Sequence, residues 1–445
     1  MQKKNVKTRN RYKKCKIVFI FMLFSIISFI IVKSTILINP SNETIINSKY
    51  SYENAINTSN YIINNEYFSI NSKGYEPDKT TKGINDAIKY ANNNNITYIK
   101  LEKGIYKINY NGIELKSNIT LDLNGSQIIQ SETDRESYSN FTFRNLKNVT
   151  LYNGIIVGDR QEHNFSNNSN STHEWGHGIK IFGGDNIKII NLEIYDMIGD
   201  GIYICSEDNK NPTNIKIKNL IISNCRRQGI SIIAGENIKI DGCEINNISG
   251  TNPQSGIDLE SNQGEQVINN ICITNNMFYN YGENNAIMSI GNVYNCIIKE
   301  NFINGNILIN DAKEKLEIID NRIQKGDVKL LSSYANINIG HTINNVFIER
   351  NNINNGNILA QKVENAVILN NEIYSGNVNM ISSSGRVEQN ILRNSNTDEI
   401  IENAFIFSKL SGHTESYFST FKQNQIIGNI KNLIIVDESC YTIER

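Results

Sequence analysis

From about residue 141 onward, short apolar and polar alternations return again and again along the chain. One form is Asn186-Ile187-Lys188-Ile189, repeated as Asn214-Ile215-Lys216-Ile217 and Asn237-Ile238-Lys239-Ile240. The other is Gly178-Ile179-Lys180-Ile181, Gly201-Ile202-Tyr203-Ile204, Gly229-Ile230-Ser231-Ile232 and Gly256-Ile257-Asp258-Leu259, with the glycines 23, 28 and 27 residues apart. Strict alternation over four residues marks half-buried strands. Several short strands with polar corners in each repeat predict an all-β, right-handed, single-stranded parallel β-helix, a solenoid whose coils cover one another. Isoleucines stack inside, while Asn-Asn, Asn-Gly and Gly-Asn pairs supply corners, because asparagine tolerates the left-handed conformation. Stacked asparagine side chains are expected to satisfy corner amides.

Before the repeats the period changes. Ile84, Ala87, Ile88 and Ala91 fall at i, i+3, i+4 and i+7, which predicts an amphipathic helix over 81–92 that caps the N-terminal end of the solenoid. Short strands follow at Ile96–Leu101, Gly104–Tyr106 and Ile119–Leu123. Two irregular stretches, Gln130–Asn140 and Arg160–Glu174, read as loops thrown out from the coils.

The first 38 residues belong to another class of polymer. Lys3, Lys4, Lys7, Arg9, Arg11, Lys13, Lys14 and Lys16 precede an apolar and hydroxyl run from Ile17 to Val32, which Ile36-Leu37-Ile38 extends. Basic then apolar orients the N-terminus toward the cytoplasm. The organisation expected is a cytoplasmic tail over 1–16, a transmembrane anchor over 17–38, a polar spacer over 39–60 and a β-helix over 61–445. The chain is then a single-pass cell-membrane protein with an extracytoplasmic C-terminal domain; the alternative is secretion after signal cleavage. No small-x-small site follows the apolar run, which favours the anchor.

Composition adds three points. The formal net charge of -1 provides no field for nucleic acid, so no nucleic-acid partner is expected. Among the seven cysteines, Cys205, Cys225, Cys243, Cys272 and Cys296 recur about once per repeat, as compact apolar residues filling a core would. Three of five histidines, His163, His173 and His177, lie in one stretch with the only tryptophan, Trp175.

That stretch is where chemistry is expected. Equivalent positions on successive coils lie about 4.8 Å apart. With the glycines as register marks, His177, Asp200, Gln228 and Ser255 stack before one strand, and Lys180, Tyr203, Ser231 and Asp258 stack within it, facing outward. Asp159, Glu174, Arg226 and Arg227 approach from the adjoining corner. His177, Asp200, Arg227, Tyr203, His173, Glu174, Asp159 and Asp258 are the catalytic candidates. Trp175, Arg160, His163, Arg226 and Lys180 are the substrate-binding candidates. Clustered oxygens on Asp200, Asp258 and Glu260 make calcium the one cofactor to consider. The bland alternatives are a corner histidine bonded to backbone, a turn-capping aspartate and arginines that only neutralise neighbouring acids.

The opening Thr80–Leu123, with its amphipathic helix and Leu101-Glu102-Lys103-Gly104-Ile105-Tyr106, resembles the pectate-lyase-like superfamily of right-handed β-helix proteins. Relatives usually carry a proline where Glu102 stands. The resemblance implies a polysaccharide ligand, and the cations around His177 suit an acidic one. Gly176-His177-Gly178 matches one string of the polygalacturonase-type hydrolases, but it precedes Asp200 and no Arg-x-Lys follows. Abstraction of a proton beside a uronate carboxylate needs a cation and a base. With His177 as base, Arg227 as neutraliser, Tyr203 or His173 as acid, Asp200 as orienter and Trp175 as platform, the residues lean toward lyase or epimerase chemistry. Hydrolysis by a carboxylate pair among Asp159, Glu174, Asp200 and Asp258 is the alternative. So is a non-catalytic glycan-binding surface protein.

Overall fold

In the computed structural model of the chain, the described residues are 61–63 and 76–444, apart from 167–170, 262–265, 282–283, 333–342, 395–399, 411–416 and 438–439. The expected anchor at 17–38 and the spacer at 39–60 lie outside them; among the described residues no helix is long and apolar enough to cross a membrane. Thirty-seven strands form one continuous sheet in which each coil pairs with the next in parallel register. Three faces result. The first carries the inward row Ile187, Ile215, Ile238 and Ile271. The second carries Ile194, Ile222, Ile245 and Phe278. The third carries Ile179, Ile202, Ile230, Ile257 and Ile287. All of these inward residues are buried in one core.

Corners are made as the Asn-rich composition predicts. Asn148, Asn186, Asn214, Asn237, Asn270 and Asn295 all have positive φ, between 49° and 56°. Their amides bridge coils: Asn186 Nδ2 donates to Asn148 Oδ1 at 2.9 Å, and Asn148 in turn to Asn118 at 2.9 Å. A second, buried ladder runs through Asn276, Asn301, Asn321, Asn351, Asn371 and Asn390. Each side-chain oxygen accepts from both the backbone and the side-chain amide of the preceding member, at 2.9–3.0 Å. A ladder of this kind removes the cost of burying corner amides, because each donor meets an acceptor one coil away.

The capping helix spans Pro77–Asn93, starting before the predicted boundary because Pro77 suits the first helical turn. Ile84, Ala87, Ile88 and Ala91 are its fully buried side, packed toward strands Ile105–Ile108 and Ile113–Glu114.

Two expectations need correction. Ser137–Asn140, read as loop, belong to strand Ser137–Arg144, because Ser-Tyr-Ser-Asn lacks apolar alternation yet continues into Phe141-Thr142-Phe143. Cysteine is only partly a core filler. Cys225, Cys243 and Cys296 are buried, but Cys205 and Cys272 are half-exposed on outward positions opposite Phe182 and Lys239. The described cysteines are all free thiols.

Where the late coils approach most closely, glycines stack. A Cβ on Gly326, Gly356 or Gly376 would lie 1.9 Å from the carbonyl oxygen of the glycine one coil earlier. Gly356→Ala is therefore expected to lower the urea midpoint, with a cost of about 1–3 kcal/mol for overpacking against backbone that cannot yield locally. An unchanged midpoint would show that the coils can spread.

Candidate functional site

The third face holds the register read from the glycines. Lys180 lies opposite Tyr203, Tyr203 opposite Ser231, and Ser231 opposite Asp258. Thr142 precedes this row and Met288 follows it. At the corner, Gly178 N–H donates to Asp200 O, Gly201 N–H to Gln228 O and Gly229 N–H to Ser255 O, at 3.0–3.1 Å. His177, Asp200, Gln228 and Ser255 thus stack as predicted, all fully buried. The row described as facing outward needs a correction. Ser231 and Asp258 point away from the core, yet they are 0% and 1% exposed. The corner side chains are long, and Gln228 Nε2 reaches over to donate to Asp258 Oδ2 at 2.5 Å.

Arg227 pairs with Asp200. Its Nη1 lies 3.1 and 3.3 Å from the Asp200 carboxylate oxygens, while its guanidinium sits 5.4 Å above the Trp175 ring. Asp258 and Glu174 also act on its charge. Burial raises the Asp200 carboxyl to about 6, against the pull of Arg227. Burial, and then the negative charge of Glu260, pushes Asp258 up to about 8. Asp258 is therefore largely a neutral acid at pH 7. Lys180 moves the other way. Burial lowers its amine to about 8, partly offset by Asp200, and its Nζ donates to Trp175 O at 3.1 Å and Ser137 Oγ at 3.3 Å.

His177 is held between aromatic rings, stacked on Tyr203 at 5.0 Å and edge-on to Trp175 at 6.2 Å. Its Nδ1 accepts the Asp200 backbone N–H at 2.9 Å, so the neutral ring carries its proton on Nε2. Burial, with Lys180 and Arg227 nearby, holds it well below the ordinary imidazole range. Burial and Cys205 raise the Tyr203 hydroxyl above its usual value. Three buried polar atoms here, His177 Nε2, Ser231 Oγ and Asp258 Oδ1, have no hydrogen-bond partner among the described residues. Orphaned buried polar atoms are uncommon, and these lie within a few coils of one face.

Asp159, His163 and His173 come together with one another, apart from the Asp200 carboxylate. Asp159 accepts from Tyr138 Oη at 2.5 Å and contacts His163 Nδ1 at 2.8 Å, and His163 Nε2 lies 2.9 Å from His173 Nδ1. All three are buried. Arg226 Nη1 donates to Thr172 O at 2.7 Å and stacks on Phe165, and Arg160 Nη1 donates to Asn224 O at 2.9 Å. These groups fasten the loop that ends in Glu174 and Trp175. Among the described residues no group of three or more His, Cys, Asp or Glu side chains is placed to hold a metal ion. Asp200 faces a guanidinium in any case.

Sequence reasoning passed over Gln228 and Ser231 as site members because glutamine and serine are ordinary residues, although their register was readable. Tyr138 was missed because its strand was assigned to a loop.

Comparison with known proteins agrees with the geometry. Residues 153–323 match the family described as right handed beta helix region. The SPbeta prophage-derived uncharacterized protein YorA of Bacillus subtilis is 30% identical over 225 residues, 45% of this chain and 38% of that protein. The uncharacterized protein YclG of the same organism is 32% identical over 179 residues, 37% of this chain and 30% of its own length. The chain thus spans well under half of either relative. Among solved structures, a double mutant of the tailspike protein of E. coli bacteriophage HK620, in complex with a pentasaccharide, superposes with a TM-score of 0.55. The identity is 11%, over 85% of this chain and 80% of that one. The chain is a right-handed parallel β-helix, a fold it shares with the HK620 tailspike protein.

Proposed function

We propose that the chain is an extracytoplasmic polysaccharide-acting enzyme that performs lyase or epimerase chemistry on a uronate at its third face. The observation that carries this reading is that Lys180, lowered to about 8, lies on the same face as the Arg227 guanidinium and the Asp258 acid, which is raised to about 8. Arg227 and the Asp258 proton face the uronate carboxylate and stabilise charge that develops beside it. The Lys180 amine takes the adjacent C5 proton. His177 is a poor base in this arrangement, because its Nδ1 lone pair is engaged and Nε2 already carries hydrogen. In a lyase, the C5–H electrons form the C4–C5 double bond, the C4–O bond breaks, and Tyr203 protonates the leaving oxygen. In an epimerase, Tyr203 gives its own proton to C5 from the other side, while Lys180 keeps the proton it took. Trp175, 42% exposed, offers a ring for a sugar to stack on.

Hydrolysis remains a second reading because Asp200 and Asp258, raised to about 6 and about 8, form a base and acid pair. pH separates the two. A Lys180 base is protonated below about 8 and the Asp258 acid ionises above about 8, so the lyase or epimerase rate peaks near pH 8 and is about eightfold lower at pH 6.5. The hydrolytic rate is near maximal between about 6 and 8. The test is incubation of the full chain with acidic and neutral polysaccharides, followed by product analysis. An unsaturated end absorbing in the near ultraviolet marks a lyase, inverted uronate stereochemistry an epimerase, and a saturated reducing end a hydrolase. Lys180→Met and Arg227→Ala should each lower turnover by about 10²–10⁴. Binding without any product would leave the chain a glycan-binding protein.

A further inference from the structure

One buried chain of titratable groups takes no part in the proposed chemistry. Asp159, just beyond strand Lys147–Val157, accepts from Tyr138 Oη at 2.5 Å, from Thr133 N–H at 3.1 Å and from His163 Nδ1 at 2.8 Å. A carboxylate only accepts, so His163 Nδ1 carries a hydrogen. His163 Nε2 lies 2.9 Å from His173 Nδ1, with the two rings edge to face at 5.1 Å. A contact of that length between ring nitrogens holds one hydrogen, given by one ring and accepted by the other. The pair therefore accommodates at most three ring protons, which is one positive charge set against Asp159. A fourth proton makes both rings imidazolium, leaves neither an acceptor, and puts N–H against N–H.

The surroundings oppose that second charge. Both histidines are buried, and Phe165 packs 4.6 Å from the His163 ring and 6.0 Å from His173. Arg226, from the corner after strand Ile221–Ser223, lies over Phe165 and donates to the carbonyl oxygens of Thr172 and His173. Arg160 and Glu174 act in turn on Arg226. On the preceding coil, burial and then Asp159 raise the Tyr138 hydroxyl far above its usual value, so it keeps its proton. The loop 131–136 meets the cluster through Thr133, while its Glu132, Asp134 and Arg135 line a groove beside the capping helix. Glu162, next to His163, is exposed. One carboxylate thus balances one imidazolium, and Arg226 repels another.

His173 also has a strained backbone, with φ at 48°, a left-handed conformation that costs a side-chain-bearing residue about 1–2 kcal/mol. Its ring contact with His163 and the Arg226 bond to its carbonyl oxygen hold that turn in place. Two residues later, Trp175 opens strand Trp175–Phe182, accepts from Lys180 Nζ at its carbonyl oxygen and lies under the Arg227 guanidinium. Glu174 acts on both Arg226 and Arg227. We propose that the His163–His173 contact, anchored on Asp159, is an acid-sensitive latch that fixes Glu174 and Trp175 against the third-face groove. Acidification adds the fourth proton, the rings part, and Trp175 loosens its hold on Arg227 and Lys180. The consequence for turnover rests on the third-face reading; the latch itself does not, because its opening is read without substrate.

Trp175 is the single tryptophan of the chain, so the fluorescence of the full chain reports on it alone. Acrylamide quenching is expected to rise reversibly, by about twofold or more, between about pH 7.5 and 5, where imidazoles take up protons. His163→Gln offers a donor and an acceptor that take no proton, and it should keep quenching low at both pH values. His173→Asn suits the positive φ, as the corner asparagines do, but its shorter side chain gives up the ring contact; quenching should be high at both. His177→Gln should retain the step, which separates the latch from the ring beside Trp175. Selective 15N labelling of histidine reads the latch in the parent, whatever the variants do to stability. At the higher pH His163 and His173 share a hydrogen, and at the lower both are imidazolium. The proposal is overturned if the parent's quenching is flat, if the step survives in both His163→Gln and His173→Asn, if His177→Gln abolishes it, or if the labelled rings still share a hydrogen at pH 5. With a galacturonate polymer at pH 8, His173→Asn should raise KM by about fivefold and change kcat by less than about twofold. A KM equal to the parent's overturns the latch's hold on the groove. No turnover by the parent counts against the third-face reading and leaves the latch to the fluorescence and labelling results.

Discussion

Asp258→Asn should give a protein that melts at a higher temperature than the parent at pH 7–8 and turns over more slowly. The stability half follows from proton linkage. In the unfolded chain the aspartate ionises near pH 4; in the folded chain it keeps its proton to about 8. Between those values the folded state binds one more proton than the unfolded, so stability falls as pH rises, by about 1.4 kcal/mol per unit. At pH 7 the accumulated cost is on the order of a few kcal/mol. Asparagine removes the titration while keeping the shape: its oxygen accepts from Gln228 Nε2 as Asp258 Oδ2 does, and its amide stands where the protonated Oδ1 stands. Between about pH 7 and 8, above the range in which Asp200 and the unfolded-state His177 titrate, the variant's melting temperature should be flat where the parent's declines. Activity falls because the amide N–H is a weaker hydrogen-bond donor than the carboxyl proton toward the charge that develops beside the uronate carboxylate. A parent whose melting temperature is itself flat over that range would mean that Asp258 ionises normally, and the proposed acid would be gone.

Asn321→Leu should be among the most damaging single changes outside the groove. Its Oδ1 accepts from both Asn301 N and Asn301 Nδ2 at 3.0 Å, and its Nδ2 donates to Ile298 O at 2.8 Å and Asn351 Oδ1 at 3.0 Å. Leucine keeps the volume and deletes every one of those bonds. It strands the Asn301 backbone amide and the Ile298 carbonyl in a place water does not reach. At about 1–3 kcal/mol for each of these two orphaned groups, the loss is on the order of 2–6 kcal/mol. Asn304→Leu, half-exposed on the outer side of the neighbouring coil, should stay within about 0.5 kcal/mol. Coils contact only their neighbours, so hydrogen exchange should show protection lost around coils 296–374 before it is lost near the capping helix. Uniform loss along the chain would contradict a ladder that acts locally.

The register on the third face was readable because glycine marks the same corner on each coil. Once Gly178, Gly201, Gly229 and Gly256 were aligned, Lys180, Tyr203, Ser231 and Asp258 had to be neighbours. The environment of each side chain was not readable in the same way. Whether Asp258 meets solvent depends on how far Gln228 and Arg227 reach across from the corner, and that is a matter of rotamer, not of spacing. Asp159, His163 and His173 looked like groove residues because they are rare types close to His177 in sequence. Their loop folds back, however, so that they bond to one another and to Tyr138.

The alternation of inward isoleucine with outward polar residues also shapes how such a molecule can diversify. Every outward position on a coil is free to change identity while the stacked interior that sets coil height stays as it was. Gain or loss of a whole coil would slide one half of a binding strip past the other by a fixed step without unravelling either half. New specificities are then reached by re-lettering or re-indexing a ruler whose divisions are already stable.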